Sequence, residues 1–279
     1  MNPRVSVVVP AYRNVEYLAQ TLDSILAQDY DDFELVVADH SSNDGTDELL
    51  ARYADHPKVR VLSPTPAGGG AKANWDRVSM AARGELLKLV CGDDLIAPDA
   101  LSRQVAALDA HPSAVLVASK RDLVDAQGKV VIAGRGLGPL KGLVSGRDAV
   151  RASVLAGTNL FGEPGCVMFR RELLVQAGGW DNSHPYLIDQ ASYSAIMLQG
   201  DMVALRESLA SFRINAGQWS VRLMNDQAQQ AIDFHNALAA ADPQLLSPMT
   251  LRVGNLKARL MAQARRLTYL WLGRRMGAA

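Results

Sequence analysis

Leu86-Leu87-Lys88-Leu89-Val90-Cys91-Gly92-Asp93-Asp94 is an apolar run that closes on a glycine and two carboxylates. A short apolar run bounded by turn residues reads as a strand buried on both faces, as the strands of parallel sheets are. Working outward, the same pattern recurs at residues 5–9, 33–38, 59–62 and 114–119, each rich in Val, Leu or Ile. Between these runs the spacing predicts helices. Residues 15–28 place Leu18, Leu22, Ile25 and Leu26 on one face. Ser41-Ser42-Asn43-Asp44 offers capping side chains for a helix over 44–53. Helices are also expected over 71–82, after Gly68-Gly69-Gly70, and over 98–108, opened by Pro98. The strand–helix alternation implies an α/β fold, a doubly wound, mostly parallel sheet with helices on both faces.

In such sheets ligands bind beyond the carboxyl ends of the strands. That rule singles out Pro10-Ala11-Tyr12, Asp39 and Cys91-Gly92-Asp93-Asp94. Adjacent carboxylates at the end of a buried strand are costly unless a cation offsets them. Mg²⁺ or Mn²⁺ carrying a diphosphate suits that position, because both prefer carboxylate and phosphate oxygens. A turn or a helix cap is the competing structural reading. Asp39 can accept the ring N–H of uracil or thymine, or cap the following helix. Tyr12 can stack on a base. Asp189, in Tyr186-Leu187-Ile188-Asp189-Gln190, is a candidate general base or a first-turn acid facing a helix dipole. Spacing leaves both readings open.

Other chemistries are disfavoured. Gly68-Gly69-Gly70-Ala71-Lys72 lacks the spacing of a phosphate loop, and no GxGxxG follows the first strand. There is no GxSxG elbow. The five histidines form no close pair, and Cys91 and Cys166 form no CxxC. Two unpaired cysteines suit a reducing, cytoplasmic location. No secretory leader and no stretch approaching a bilayer span is visible.

The 279 residues hold 29 basic and 29 acidic side chains. From Pro243 onward there are seven basic residues and no acidic one, so the rest carries 22 basic against 29 acidic, a net of −7. After residue 120 the pattern loosens. Gly134, Gly136, Gly138, Pro139 and Gly142 suggest an extended loop, and helices are expected over 146–155, 171–177 and 187–198 and from 220 onward. Residues 251–275 read as a basic amphipathic helix, suited either to an anionic membrane surface or to packing on the domain with a solvated basic face. One such helix with few aromatics is a thin footprint for nucleic acid, and no nucleic-acid partner is expected.

Taken together, the blocks resemble the inverting family 2 glycosyltransferases, which have the GT-A fold. Ser6-Val7-Val8-Val9-Pro10-Ala11-Tyr12-Arg13-Asn14 is similar to their opening strand. Glu34 to Thr46, with Asp39 and Asp44-Gly45-Thr46, is similar to their second block. Gly84 to Asp94 resembles the strand with the DxD-like metal motif. Gly162-Glu163-Pro164-Gly165 with Phe169-Arg170-Arg171 resembles the acceptor-side segment. Gly178-Gly179-Trp180-Asp181 followed by Asp189 resembles the approach to the catalytic base, and Phe212-Arg213-Ile214-Asn215 with Gln218 and Ser220 the closing loop.

The resemblance implies roles. Pro10, Ala11, Tyr12 and Asp39 would hold the nucleoside, and Lys72 and Asn74 would line the donor pocket. Asp94 would ligate the divalent cation (Mn²⁺ or Mg²⁺), with Asp93 on ribose or metal. Arg213 and Gln218 would approach the diphosphate. Glu163, Pro164 and Trp180 would stand on the acceptor side, and Asp189 would deprotonate the acceptor hydroxyl. The implied reaction moves a sugar from a UDP- or dTDP-linked donor to a glycan or lipid-linked glycan in bacterial surface polysaccharide synthesis, by a cytoplasmic enzyme or one peripheral at the inner face of the membrane. Residues 1–220 would form the catalytic domain, with 1–120 on the nucleotide-sugar and 121–220 on the acceptor, and 221–279 a helical extension. The chain departs from the family at His40, in place of a second acid, at Cys91, in place of the first acid of the metal motif, and at Asn215, where histidine is common. The rival readings are a non-catalytic nucleotide-sugar or glycan binder and a metal-dependent nucleotidyltransferase. The latter would want a glycine-rich basic signature that Ala11-Tyr12-Arg13-Asn14 lacks.

Overall fold

The β-branched run Val5–Ala11 forms β1, and every residue of it is buried. It lies between β2 (Phe33–Asp39) and β4 (Leu86–Leu89), parallel to both, and β3 (Val59–Val61) continues the parallel set beyond β2. The computed structural model describes residues 2–215 and 226–272, without the side chains of 269–272. Helix α1 (Val15–Leu26) lays Leu18, Leu22 and Ile25 into the core, as its spacing predicts. Each such aliphatic side chain contributes about 1.5–3 kcal/mol relative to exposure. The short α2 (Thr46–Ala51) starts where Asp44 Oδ1 accepts from Thr46 N at 3.1 Å and Thr46 Oγ1 at 2.6 Å. Helix α3 (Gly70–Ala81) leads into β4. Helix α4 (Ala100–Ala110) begins two residues past Pro98, whose carbonyl instead accepts from Asp29 N.

Beyond β4 the sheet is mixed. Its order is β3-β2-β1-β4-β9-β6-β10-β5. Strand β9 (Val167–Arg170) runs antiparallel between β4 and β6 (Ala114–Val124), and β6 pairs in parallel with β10 (Asp201–Arg213). The two-residue β5 (Leu95–Ile96) returns against β10. The glycine-rich segment expected as a loop holds two strands, β7 (Val130–Arg135) on β6 and β8 (Gly142–Ser145) on β10. Gly136 and Gly138 lie between the two strands, Gly134 within β7 and Gly142 at the start of β8, and all four have positive φ. Helices α5 (Gly146–Ala156), α6 (Arg171–Gln176) and α7 (Ile188–Met197) match their predicted spans closely.

Lys88 stands fully buried in β4, its Nζ bonded to Gln104 Oε1 at 2.9 Å and to Gly165 O at 2.6 Å. Burial pulls its ammonium down to about 7. The pair of bonds ties α4 and the 3₁₀ turn Pro164–Cys166 to the sheet.

The chain ends in α8 (Gln227–Ala241) and α9 (Pro248–Leu272), broken at Pro243 to Pro248 as expected. Helix α9 packs on α5 at backbone contact. A Cβ on Gly254 would lie 2.5 Å from Val154 O, and one on Gly157 would lie 2.4 Å from Ala258 N. The basic helix therefore docks on the domain by one face. Met249, Leu256, Leu260 and Leu267 form an exposed ridge on the other.

Candidate active site

The parallel strands deliver their carboxyl ends to one side of the sheet, and a cavity of about 920 Å³ opens there. Its first wall comes from the ends of β1 and β2. Pro10, Tyr12, His40 and Ser41 line it. The Tyr12 ring lies 5.5 Å from that of His40, tilted, and the Arg13 guanidinium 5.2 Å from Tyr12. Arg13 and Ser41 hold left-handed backbone at φ 50° and 51°, a conformation non-glycine residues rarely adopt and one that collects at functional loops. His40, where the related block carries an acid, bonds Gly68 O through Nε2 at 2.8 Å.

Several expected nucleotide contacts turn out to brace this wall from behind. Asp39 is buried, and its carboxylate accepts from Ser42 N at 3.0 Å and from the Ser42 hydroxyl, closing its own loop. Ala11 is buried, and its carbonyl accepts from Asn74 Nδ2 at 3.1 Å. Asn74 also donates to Ala38 O at 3.0 Å and accepts from Thr65 Oγ1, so this one amide clamps the ends of β1 and β2 while lining the cavity. Lys72 does not line it. Its ammonium bonds Asp76 at 2.5 Å and Trp180 O at 2.8 Å.

The floor is Cys91-Gly92-Asp93. Gly92 leaves room for the Asn14 side chain, since a Cβ there would lie 2.1 Å from Asn14 Nδ2. The two carboxylates part company, and in the opposite order to the sequence expectation. Asp93 lines the cavity, where its Oδ2 accepts from Asn215 Nδ2 at 2.9 Å. Asp94 is 2% exposed and lies outside the lining, its Oδ1 accepting from Arg213 N at 3.0 Å. Burial, then the charge of Asp93, pushes the Asp94 carboxyl well above the usual carboxylate range. The chain turns between them, so one side chain faces ligand space and the other pins β10. Arg213, expected at the diphosphate, is 1% exposed and holds the floor up. It bonds Asp93 O at 2.9 Å, Ala126 O at 2.9 Å and Gln20 Oε1 at 2.9 Å, with its guanidinium 4.6 Å from the Tyr17 ring. Gln218 lies outside the described residues.

Among the described residues no three His, Cys, Asp or Glu side chains gather as a metal cluster. A divalent cation still fits beside Asp93, since Mg²⁺-type ions are commonly held by one or two carboxylates plus the phosphates of the substrate.

The second wall carries Asp189, at the start of α7. Its Oδ2 accepts from Asn159 Nδ2 at 3.0 Å and its Oδ1 from Gln190 N at 2.7 Å. Burial pushes the carboxyl up to about 7; the Gln190 N–H opposes this, and the charge of Glu163 adds to it. Glu163 and Pro164 also line the cavity, and Glu163 is ion-paired with Arg121, whose Nη2 donates to Oε1 at 2.8 Å. Trp180 does not reach the cavity. It is 1% exposed, donates through Nε1 to Ser79 Oγ at 2.9 Å, and packs edge-on against Trp75, which does line it.

Sequence reasoning missed the C-terminal contribution. Ala231 and His235 of α8 and Arg265 and Thr268 of α9 complete the lining, along with Asn159 and Tyr186. Arg265 is visible in the sequence only as one of seven tail cations, and nothing in the spacing marks it from the others.

Residues 6–177 match the family model described as Glycosyl transferase family 2. An uncharacterized protein of Mycobacterium tuberculosis is 29% identical over 255 residues, 90% of this chain and 79% of that protein. The chain spans only 14% and 40% of the next two curated relatives it matches. Among solved structures, S. aureus TarS 1–349 in complex with UDP-GlcNAc superposes with a TM-score of 0.69 at 20% identity, covering 90% of this chain and 69% of that one. The mannosyltransferase PcManGT from Pyrobaculum calidifontis, in complex with GDP-Man and Mn²⁺, superposes with a TM-score of 0.65 at 21% identity over 100% of this chain and 77% of that one.

Proposed function

The chain belongs to glycosyl transferase family 2 and is a glycosyltransferase, and we propose that it moves a sugar from a UDP- or dTDP-linked donor to a hydroxyl of a glycan or lipid-linked glycan, with inversion at the anomeric carbon. One observation carries the reading: a carboxylate held near neutral pKa, Asp189, faces the same cavity as the strand-end carboxylate Asp93. The nucleoside occupies the end lined by Pro10, Tyr12, His40 and Ser41, with Tyr12 stacking on the base. Asp93 holds the divalent cation, Mn²⁺ or Mg²⁺, with the donor phosphates. When bound, that ion supplies charge stabilisation for the departing diphosphate.

Asp189 takes the proton of the acceptor hydroxyl as its oxygen bonds to the anomeric carbon. The bond from that carbon to the diphosphate oxygen breaks, and the nucleoside diphosphate leaves with the electron pair. A base is most effective with a pKa near the working pH, and the buried setting of Asp189 meets that condition. Asn159 and the Gln190 N–H orient the carboxylate, leaving its remaining lone pairs for the acceptor. Arg121 pairs with Glu163 and offsets part of the negative charge that Glu163 places near Asp189.

Residues 1–220 act as the catalytic unit and 221–279 as an extension that closes its acceptor end. Among the described residues no helix is long and apolar enough to cross a membrane. The exposed ridge of α9, Met249, Leu256, Leu260 and Leu267, lies among Arg252, Arg259 and Arg266. That combination supports a peripheral, surface-lying contact with anionic lipid, which suits a lipid-linked acceptor in polysaccharide synthesis. Flotation with phosphatidylglycerol vesicles checks it: the protein floats, and Leu256→Asp with Leu260→Asp abolishes flotation. Flotation unchanged by both charges contradicts it.

A thermal-shift panel of nucleoside-diphosphate sugars, with and without Mn²⁺, tests the donor assignment. A UDP- or dTDP-sugar raises the melting temperature only with the cation present, and release of nucleoside diphosphate requires an acceptor. Stabilisation by none of them contradicts the assignment.

A further inference from the structure

Arg265, half-buried, lines the cavity from the C-terminal helix, and its surroundings are unlike those of the site's buried arginines. Arg121 is neutralised by Glu163, and Arg213 is spent on carbonyls beneath the floor. Arg265 has no carboxylate partner among the described residues. Its Nε donates to Gln227 Oε1 at 2.8 Å and its Nη1 lies 3.4 Å from Thr158 Oγ1, both neutral oxygens. Residues 216–225 and 273–279 contain no Asp or Glu. A guanidinium offers five donors, and these two bonds leave most of them unused.

The neighbours of Arg265 fix which end of the cavity it serves. Its guanidinium lies 5.6 Å from the ring of Tyr186, in the turn Pro185–Leu187 that leads directly into α7 and Asp189. Thr158 precedes Asn159, the residue that bonds the Asp189 carboxylate. Arg265 therefore touches both segments that hold the base and none of the strand ends that form the nucleotide wall. The backbone-tight packing of Gly254 and Gly157 holds this part of α9 in place. His235, also in the lining, has its imidazole pushed down by burial.

We propose that Arg265 is an anion-recognition residue for the acceptor, so that the glycan this enzyme extends carries a phosphate diester or a carboxylate close to the hydroxyl that is attacked. The inference rests on the glycosyltransferase reading and deepens it by naming the acceptor's chemistry. An arginine with a fork of unused donors in a partly enclosed cavity suits a planar carboxylate or a phosphate equally well. A neutral acceptor would leave that charge without a partner in a confined site.

The test uses the full chain with its nucleotide end filled by UDP and Mn²⁺, and calorimetric titration of three probes: octyl glucoside, octyl glucuronide and octyl glucosyl phosphate. Donor-end occupancy is followed separately by UDP titration, which reports on the functional reading alone. The wild type binds one or both anionic probes about ten-fold or more tightly than the neutral one, as charge-assisted bonds to arginine allow. Which anion wins identifies the source. Arg265→Gln abolishes the preference while UDP binding stays unchanged, and Arg265→Lys, which keeps the charge, retains part of it. Equal affinity for all three probes in the wild type, or a preference that survives Arg265→Gln, overturns the inference.

Discussion

The two ends of the cavity are built on different principles. The end proposed for the nucleotide is made from consecutive βα units, whose parallel strands β1, β2 and β4 set their carboxyl ends side by side. The base-bearing end is assembled from pieces far apart in the chain: Arg121 on β6, Asn159 and Glu163 in one loop, Asp189 on α7 and Arg265 on α9. Polar groups at the first end are bonded within the fold, as Asp39 and Asn74 are. The second retains groups poised to change charge or to bind charge.

The contrast predicts unequal costs. The largest is at Asp189. Asp189→Asn lowers turnover by about 10²–10⁴-fold, the usual contribution of general base catalysis, while donor affinity by calorimetry stays within about two-fold, a difference below 0.5 kcal/mol. Its effect on stability has the opposite sign. The folded carboxyl titrates at about 7 against 3.8 in the open chain, so between these values the folded state binds more protons and stability falls as pH rises. Asp189→Asn therefore raises the melting temperature above pH 7, and the gain shrinks as pH falls toward 4. A variant that melts lower at every pH breaks the comparison.

Next comes the split between neighbouring acids. Asp93→Ala weakens Mn²⁺-dependent donor binding by about ten-fold or more, in line with loss of one charge-assisted contact, and leaves the fold intact. Asp94→Ala removes the acceptor for the Arg213 N–H and lowers stability by about 1–3 kcal/mol, the cost of a buried donor left unsatisfied, as read by urea denaturation. If Asp94→Ala impairs cation binding and Asp93→Ala does not, the assignment of the pair is reversed.

The strand-to-loop pattern explains how far these roles are legible in the sequence. Buried parallel strands announce themselves as continuous apolar runs, so β1, β2, β4 and β6 and the cavity side of the sheet follow from composition. The mixed half does not announce itself. Strand β9 has four residues, and β10 carries register shifts at Leu205 to Ala210 that interrupt its alternation. Asp93, Asp189, Glu163 and Pro164, picked out from separate stretches of the string, line one cavity. What the string could not resolve is direction: whether Asp93 or Asp94 faces ligand space, or whether Arg213 points into the cavity or under it, depends on where β10 runs. Arg265 depends on the docking of α9, a contact made through two glycines with no motif of their own.

Smaller effects sharpen the second end further. Gly254→Ala places a methyl against Val154 O and costs about 1–3 kcal/mol by overpacking. It should raise the acceptor KM more than the donor KM, because Arg265 and Thr268 of α9 line the cavity at the end proposed for the acceptor. Equal changes in both would deny that division. The smallest concerns Lys88, whose ammonium titrates at about 7 in the fold against 10.5 in the open chain. In that window the unfolded state binds more protons, so Lys88 adds a component of stability that rises with pH. Compared by thermal melting, Lys88→Met lacks that rise, and its advantage over the wild type narrows between pH 7 and 9.

The central claim is that a carboxylate with a neutral pKa does the deprotonation, and the pH dependence of kcat/KM tests it most directly. With donor and Mn²⁺ saturating, transfer should fall about ten-fold per pH unit below an apparent pKa near 7, a limb assigned to Asp189 by the pKa it has in the fold. A rate that stays flat from pH 5 to 8 would contradict the account.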